Sequence, residues 1–291
     1  MSISFSELIK NNNLKLDSYN LINEQHFDFF SRISNEINGK KCVFILDKKY
    51  LRKIDDSVVM IITTDEIYAG IEKKENIGFC LTKNPRGMYF RLLETYEKQA
   101  EKIIASTIVG KNCKIAKTAV ISEKGVVIGN NVYIGENVII KQNVIIGDNV
   151  KIQSGTIIGE DDFNIYSYAN ERIQLKHYGR VIIGNNVLIG SNCNIGQALY
   201  NYGKTIIGDN TQIGALTCIG HNDIISENCE ICGGTVIGGY TNIGESSFVG
   251  MHSVIKNALV IGKNVKIGMG SVVVRNIKAE KNVFGNPAAE V

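Results

Sequence analysis

An aliphatic residue recurs at every sixth position from Ile207 to Val273 without a slip. The residue that follows it is usually glycine. The same spacing runs through 109–121, slips by one residue, resumes over 128–158 and returns over 183–195. Neither a helical period of 3.6 residues nor a two-residue alternation produces this pattern. The six-residue period therefore constrains the fold more than any other feature of the sequence.

A six-residue period is the signature of a parallel β-helix, in which each hexad supplies a short strand and a turn. Three hexads complete one triangular coil, so each aliphatic stacks on the equivalent residue of the next coil in a continuous apolar column. Glycine and asparagine suit the corners because both tolerate positive φ. The composition of 29 glycines and only two prolines fits many tight turns rather than a collagen-like or disordered chain. We predict a mainly β fold, a left-handed parallel β-helix.

Residues 1–104 lack the repeat and indicate a separate small α/β domain. Buried strands are predicted at 43–46, 57–63 and 77–82. Aliphatic and aromatic residues at helical spacing predict a helix from Arg86 to Ile104 that leads into the β-helix at 105–291.

Two segments interrupt the period. Residues 160–181 form an aromatic and charged insertion, and residues 197–205 break the repeat a second time. Insertions in a solenoid project from one face and often build the binding site. We therefore expect both insertion loops to border the functional site.

Composition excludes several classes of function. The net charge is only +3 and the basic residues are spread along the chain, which argues against a nucleic-acid partner. The N-terminus lacks a signal pattern and no apolar run is long enough to span a membrane. We therefore expect a cytoplasmic protein without membrane insertion.

The seven cysteines are an odd, irregularly spaced set and do not form a disulfide framework. Cys229 and Cys232 make a C-x-x-C pair, which suggests redox or metal chemistry. A structural role in the core is favoured over that chemistry, because Cys113, Cys193 and Cys229 each fall where the repeat places a small buried side chain. A zinc site also needs further ligands, so no catalytic metal is expected.

The candidate general base is His221, one of four histidines in the chain. It follows Ile219-Gly220 inside the uninterrupted repeat, and this gives it a fixed position on a rigid coil. Histidine suits a general base because its pKa lies near the working pH. A general base contributes about 10²–10⁴ in rate, and a donor to the oxyanion about 10²–10³.

Three segments carry a family resemblance: 156–171 (TIIGEDDFNIYSYANE), 177–192 (HYGRVIIGNNVLIGSN) and 219–239 (IGHNDIISENCEICGGTVIGG). In these segments the chain resembles the UDP-3-O-acyl-glucosamine N-acyltransferases of lipid A synthesis. The resemblance implies that His221 is the general base and that Gly239 gives the oxyanion N–H. Asn222, beside the base, is expected to contact the substrate.

The stretch FILDKKY at 44–50 resembles the F-x-x-N-P-K-Y stretch that binds uridine in the same family. The resemblance makes Phe44 and Tyr50 the candidates for stacking on a nucleotide base, and it puts Asp47 in the same site. Asp47 and Lys48 replace the family's Asn and Pro. The expected ligand is therefore a pyrimidine nucleotide rather than uridine in particular.

Departures from the lipid A family concern the acyl donor. Ala258 stands where that family has a second histidine, and Gly214 and Ala215 stand where it has polar residues. We also expect the C-terminal helical extension that docks acyl carrier protein to be absent. These differences favour a coenzyme A donor.

The end of the chain, 284–288 (FGNPA), resembles the G-N-P-A tail of hexapeptide acetyltransferases that use acetyl-CoA. This resemblance implies that Gly285, Asn286 and Pro287 contact the acyl-CoA; the alternative is a turn that ends the last coil. By coil count, His252 is expected near the base and in contact with the donor's pantetheine, with a packed or surface role as the competing interpretation.

Two further residues complete the expected site. His177 lies in the first insertion and is expected to reach the acceptor from a neighbouring subunit. Asp223 is expected to orient His221. The flat faces of a β-helix and the family resemblance imply a homotrimer with active sites between subunits.

Three functions stay open from the sequence. The first is transfer of an acetyl or short acyl group from acyl-CoA to the amine of a UDP- or dTDP-linked amino sugar. The second is the lipid A reaction, with a 3-hydroxyacyl group delivered by acyl carrier protein. The third is a non-enzymatic scaffold, which the histidine, the glycine and the nucleotide-binding stretch disfavour.

Overall fold

The computed structural model describes residues 2–35, 37–71, 75–99 and 104–290. The chain divides into two compact units, one formed by Met1–Lys102 with Phe163–Lys176 and the other by Ile103–Asp162 with His177–Val291. The middle of the first predicted insertion therefore belongs to the N-terminal unit. Within the described ranges, no helix has the length and apolar character needed to cross a membrane.

The N-terminal unit is a five-stranded sheet flanked by helices. Its elements are α1 (Phe5–Asn11), β1 (Tyr19–Ile22), β2 (Phe29–Phe30), β3 (Lys41–Phe44), a 3₁₀ helix (Lys48–Lys53), β4 (Val58–Thr63), α2 (Asp65–Tyr68), β5 (Gly78–Thr82) and α3 (Pro85–Gln99). The strand order is β1-β5-β4-β3-β2, with β1 antiparallel to β5 and the other pairs parallel. The continuous apolar runs of β4 and β5 are buried, as expected for strands inside a parallel sheet.

Two of the three predicted strands are confirmed, and the third ends early. The strand predicted at 43–46 stops at Phe44, and Leu46 is exposed. The chain turns away there because the side chain of Asp47 accepts the backbone N–H of Lys49 and caps the 3₁₀ helix. The predicted helix from Arg86 is confirmed as far as Gln99; residues 100–103 lie outside the described residues.

Residues 163–176 form a β-hairpin within the N-terminal unit. Its strands are β15 (Ile165–Tyr168) and β16 (Glu171–Gln174). The Tyr166 hydroxyl donates to the Glu94 carboxylate at 2.7 Å, and the Tyr168 hydroxyl accepts the Asp17 N–H at 2.7 Å. Both tyrosines are buried. These two tyrosines of the insertion thus pack within that unit.

The second unit is the left-handed parallel β-helix, with three sheets that form its faces. Face 1 contains β6 (Ile108–Val109), β9 (Val126–Ile128), β12 (Val144–Ile146), β17 (Arg180–Ile183), β20 (Lys204–Ile207), β23 (Ile224–Ile225), β26 (Asn242–Ile243) and β29 (Val260–Ile261). Face 2 contains β7 (Lys114–Ile115), β10 (Tyr133–Ile134), β13 (Lys151–Ile152), β18 (Leu188–Ile189), β21 (Gln212–Ile213), β24 (Glu230–Ile231), β27 (Phe248–Val249), β30 (Lys266–Ile267), β32 (Asn282–Gly285) and β33 (Ala288–Glu290). Face 3 contains β8 (Val120–Ile121), β11 (Ile139–Ile140), β14 (Ile157–Glu160), β19 (Asn194–Gly196), β22 (Cys218–Ile219), β25 (Val236–Ile237), β28 (Val254–Ile255) and β31 (Val272–Val273).

The predicted aliphatic columns form the core of the β-helix. In-register parallel pairs such as Ile213 with Ile231 stack equivalent aliphatics of successive coils. Every repeat aliphatic from Ile207 to Val273 is at most 2% exposed. Among the described coils, the first is the open one, with Val109 at 46% exposure, because no described coil stacks on that side of it. The six-residue period is therefore confirmed as the packing rule of this unit.

The three corners of the coil differ in chemistry. The ladder corner, between faces 1 and 2, carries asparagines with positive φ whose side-chain amides bond to one another. The ladder runs through Asn112, Asn131, Asn149, Asn186, Asn210 and Asn228. The site corner, between faces 3 and 1, carries both insertions and the turn at 221–222. These two corners share a backbone geometry and differ in their side chains.

Candidate active site

His221 lies at the site corner between β22 and β23, and its backbone is fixed on both sides. Asn222 follows with φ of 60°; its N–H donates to Thr205 Oγ1 at 2.9 Å, and its Oδ1 accepts the Leu199 N–H at 2.9 Å. Asp223 is buried and accepts the N–H groups of Gly220 at 2.9 Å and Thr241 at 2.8 Å. The coil therefore presents His221 from a rigid turn.

Asp162 orients the imidazole of His221. One carboxylate oxygen accepts the His221 backbone N–H at 3.0 Å and the ring Nδ1–H at 2.7 Å. Because a carboxylate only accepts, Nδ1 carries the proton and the basic lone pair lies on Nε2. The expectation that Asp223 orients His221 is wrong, since its carboxylate is engaged by backbone N–H groups inside the coil. Burial raises the pKa of Asp223 well above its usual range, against the lowering effect of those two bonds.

Two rings hold His221 edge to face. The ring centroid of His177 lies 5.1 Å away at an interplanar angle of 70°, and that of Tyr240 lies 5.0 Å away at 86°. His177 belongs to the same chain, so the two imidazoles meet without the neighbouring subunit that sequence reasoning invoked. Tyr240 has φ of 65°, a left-handed conformation that a bulky residue seldom adopts. Backbone strain of this kind clusters at functional sites.

His177 is itself fixed by hydrogen bonds. Its backbone N–H donates to Asp161 Oδ1 at 2.9 Å, and its ring Nδ1–H donates to the Gln197 carbonyl at 2.7 Å. The side chain is 2% exposed. Burial, opposed by the bond to the Gln197 carbonyl, lowers the pKa of His177 and favours the neutral ring.

Gly239 is the residue one coil beyond His221 at the same corner. A Cβ there would lie 2.7 Å from the ring Cε1 and Nδ1 of His221, so only glycine leaves room for the imidazole. At the same corner position one coil earlier, the backbone N–H of His221 donates to Asp162. Within the part of the chain that the structure describes, the Gly239 N–H makes no hydrogen bond. It can therefore donate to an oxyanion.

The second insertion is packed rather than projecting. Ala198, Leu199 and Tyr200 are each at most 3% exposed. Backbone bonds join Tyr178 to Leu199 at 2.9 Å and Gly179 to Ala198 at 2.8 Å. The apolar residues of this insertion are buried because they cover this corner of the coil. The insertion therefore forms a closed wall beside His177.

Comparison with known proteins agrees with this architecture. Residues 125–160 match the family described as bacterial transferase hexapeptide (six repeats), and residues 180–199 and 240–275 match the hexapeptide repeat of succinyl-transferase. These segments of the chain carry hexapeptide repeats. The predicted repeat and fold class are therefore confirmed.

The proteins similar to this chain include two sugar-nucleotide acyltransferases. A UDP-3-O-acylglucosamine N-acyltransferase from Maricaulis maris (strain MCS10) is 41% identical over 49 residues, which is 17% of this chain and only 14% of that relative. The structure of a UDP-N-acetylglucosamine acyltransferase from Campylobacter jejuni aligns with a TM-score of 0.58 and 26% identity, over 64% of this chain and 70% of that one. These likenesses support the acyltransferase class of enzyme.

His252 does not lie at the corner that coil counting gave it. It sits between β27 and β28, at the corner between faces 2 and 3, whereas the residues that follow His221 along the site corner are Gly239 and Asn257. His252 is exposed, with φ of 55°. The expectation that His252 lies near His221 of the same chain is wrong, because the two residues occupy different corners of the triangular coil.

The nucleotide candidates lie in the N-terminal unit. The ring of Phe44 packs against Tyr89 and Phe90, with centroids 4.8 and 5.8 Å away. Tyr50 is exposed, and the Lys49 and Lys53 ammonium groups lie 5.1 and 5.6 Å from its ring centroid. Of the two aromatic candidates, Tyr50 presents the more accessible ring.

The tail segment closes the end of the β-helix. Gly285 ends β32, its N–H donates to Ser271 Oγ at 3.3 Å, and Asn286-Pro287 forms the turn into β33. The ring of Phe284 covers Gly268, where a Cβ would meet it at 2.4 Å. This hairpin extends face 2, and a role for Gly285, Asn286 and Pro287 in donor binding stays a prediction.

The cysteines are free thiols. Cys193 and Cys229 are buried in the apolar column, whereas Cys113 is partly exposed. Burial raises the pKa of the Cys229 and Cys232 thiols, which disfavours the reactive thiolate. Within the described residues, no group of three or more His, Cys, Asp or Glu side chains is placed to hold a metal ion.

Sequence reasoning missed Asp162 and Tyr240. Asp162 precedes His221 by 59 residues, and only the fold brings them together. Its signal was the Asp161-Asp162 pair at the point where the hexad period breaks. Tyr240 was visible as an aromatic residue at a corner position where asparagine or glycine is the rule.

Proposed function

We propose that this protein transfers an acetyl or short acyl group from acyl-CoA to the amine of a nucleotide-linked amino sugar, UDP- or dTDP-linked in the first instance. The observation that carries the proposal is the corner arrangement of Asp162, His221 and Gly239. An oriented base and a nearby backbone donor are what acyl transfer from a thioester requires. The likeness to sugar-nucleotide acyltransferases supports the substrate class.

The amine nitrogen is the nucleophile. It first loses one proton from its ammonium form to solvent, and its lone pair then attacks the thioester carbonyl carbon. As the C–N bond forms, His221 Nε2 takes a second proton from nitrogen, and Asp162 stabilises the resulting imidazolium. The Gly239 N–H donates to the tetrahedral oxyanion. On collapse the C–S bond breaks and His221 returns its proton to the thiolate, which gives an amide and a free thiol.

The other candidate residues take supporting roles in this proposal. Asn222 and His177 lie on the acceptor side of His221. In the N-terminal unit, Tyr50 stacks on the pyrimidine with Phe44 behind it, and Asp47 fixes the turn that carries Tyr50. Gly285, Asn286, Pro287 and the exposed His252 are assigned to acyl-CoA. No metal takes part.

A homotrimer is part of the proposal because two faces of the coil present apolar residues outward. Val127, Ile224 and Val260 on face 1 are 42%, 38% and 52% exposed, and Val236 and Val254 on face 3 are 43% and 44% exposed. Face 2 presents mostly charged and polar residues, such as Lys151, Glu230 and Lys266, at the same strand positions. Apolar stripes of this extent favour self-association.

The second candidate is N-acylation of UDP-3-O-acylglucosamine with a 3-hydroxyacyl group carried by acyl carrier protein. The segment shared with the Maricaulis maris protein favours it. It differs from the first candidate in the donor and in the acyl chain length.

A donor and acceptor matrix separates the candidates. Acetyl-CoA, long-chain acyl-CoA and 3-hydroxyacyl carrier protein are each paired with UDP-, dTDP- and GDP-linked amino sugars, and amide products are detected by mass spectrometry. Thermal shift gives a parallel reading, because ligand at a hundredfold excess over its dissociation constant stabilises by about 2.7 kcal/mol. Amide formed from acetyl-CoA supports the first candidate. Amide formed only from the carrier protein supports the second, and no amide with any pair refutes both.

A further inference from the structure

His177 has a ring nitrogen that the reaction described above does not use. Its Nδ1–H is committed to the Gln197 carbonyl, so the neutral ring presents Nε2 as a hydrogen-bond acceptor. Among the residues that the structure describes, that buried Nε2 has no hydrogen-bond partner. A buried acceptor without a hydrogen bond destabilises the site that contains it. A group that donates to Nε2 would remove this penalty.

The position of His177 indicates what the donor is. Its ring centroid lies 5.1 Å from that of His221, the proposed base. The two N–H bonds of an amine diverge by about 109°, so two hydrogen bonds of about 2.9 Å each can join a single substrate nitrogen to ring nitrogens about 4.7 Å apart. One atom of the acceptor can therefore contact both imidazoles.

The nature of that atom follows from counting hydrogens. A hydroxyl nucleophile has one hydrogen, and His221 takes it. A neutral amine has two, so one goes to His221 and the other remains for His177. Burial lowers the pKa of His177 and so disfavours a second proton on the ring. The Gln197 carbonyl holds the one ring hydrogen at Nδ1, which leaves the lone pair at Nε2.

We propose that His177 is the specificity-determining residue that selects an amine over a hydroxyl acceptor, by accepting the second N–H of the nucleophile at Nε2. This inference rests on the proposed N-acyl transfer and deepens it. A site that must satisfy a buried polar group discriminates against substrates that lack the matching partner, and this selection is stronger than that of an apolar pocket.

A matched pair of variants tests the proposal. In His177→Asn the side-chain amide can keep the donor to Gln197 while the Nε2 acceptor is lost. In His177→Gln an amide oxygen takes the place of the Nε2 acceptor. Each protein is assayed with acetyl-CoA and two probes: the best amino-sugar nucleotide of the matrix, and the same nucleotide sugar with a hydroxyl in place of the amine.

For wild type we expect the ratio of kcat/KM values, amine over hydroxyl, to be at least 10³. His177→Asn is expected to lower that ratio at least tenfold, through slower amide formation with ester formation unchanged, and His177→Gln to recover part of it. A ratio unchanged within twofold in a folded His177→Asn protein overturns the proposal. If wild type forms no amide at all, the proposed function fails instead, so the two failures are distinguishable.

A spectroscopic measurement covers the case in which both variants unfold. In wild type labelled with ¹⁵N-histidine, the His177 Nε2 resonance reports its hydrogen bonding directly. The amino-sugar probe is expected to shift that resonance towards the protonated range, whereas the hydroxyl probe leaves it in place. Equal shifts with both probes, or none with the amine, contradict the assignment.

Discussion

The ladder corner and the site corner of the β-helix have the same turn geometry and opposite chemistry. At the ladder corner, side chains form hydrogen bonds with the turn backbone and with one another. Asp209 accepts the Asn185 N–H at 2.7 Å, and the Asn210 amide donates to Asn228 at 3.2 Å. At the site corner, the Asp162 carboxylate accepts a hydrogen bond from the His221 ring, and the Gly239 N–H makes no hydrogen bond within the described residues.

The difference shows how a repetitive fold acquires a site. The hexads supply a rigid corner in every coil, and a corner becomes functional only where it departs from its own turn chemistry. Here the departures are two insertions, a histidine, a glycine and a tyrosine in left-handed conformation. The Asp that orients the base comes from one of the insertions. Each departure can be tested against its counterpart elsewhere on the coil.

The largest expected effect is that of Asp162→Asn. An amide in this position can donate to Nδ1 and thereby place the ring proton on Nε2, which removes the basic lone pair. We expect kcat for amide formation to fall by about 10²–10⁴, measured by release of free thiol. The matched control is Asp209→Asn, which changes the corresponding carboxylate of the ladder corner and is expected to keep kcat within twofold. Equal losses in the two variants would contradict the special role of Asp162.

Gly239→Ala is expected to act through the ring of His221. The new Cβ would lie 2.7 Å from that imidazole, so the base is displaced and kcat/KM falls by about 10–100-fold. Gly233→Ala is the control, because its Cβ would meet the Ala215 carbonyl at 2.9 Å, at a corner without His221. Both variants are expected to melt at a lower temperature than wild type, as measured by differential scanning fluorimetry. Activity is expected to be lost only in Gly239→Ala, and a comparable loss in Gly233→Ala would assign the effect to general destabilisation.

His177 makes the site corner sensitive to acid. The folded state lowers the pKa of this ring, so the unfolded state binds more protons as pH falls below about 6.5. Stability from the neutral ring is present above that pH and is lost below it, at up to about 1.4 kcal/mol per pH unit for one proton. Urea unfolding of wild type and His177→Asn between pH 5 and 8 measures the difference. The raised pKa of Asp223 changes stability with pH in the opposite direction. Asp223 is present in both proteins, so its contribution cancels in the difference between their unfolding free energies. Parallel pH curves would refute this prediction.

The smallest effect is expected at the ladder corner. Asn210→Ala removes one amide of the ladder and leaves alanine at φ of 59°, which destabilises by about 1 kcal/mol. Urea unfolding measures this loss, and kcat is expected to stay unchanged. A tenfold loss of kcat would show that the two corners are not independent.

The sequence was sufficient for the β-helix and for the position of His221, because a fixed period converts directly into stacked coils. From Ile207 to Val273 every predicted aliphatic is buried. The partners of His221 were less accessible to sequence reasoning. Asp162 and His177 flank a segment that leaves the coil and returns, and no period encodes where its ends meet. The misplacement of His252 had a different cause: its separation from His221 is not a whole number of coils.

The most direct test of the central claim is the single-turnover rate of amide formation by His221→Ala. The variant is first shown by light scattering to have the same mass as wild type. With acetyl-CoA and the best amino-sugar nucleotide, we predict a rate reduced by about 10²–10⁴. A correctly assembled His221→Ala protein that keeps most of the wild-type rate would contradict the assignment of His221 as the base.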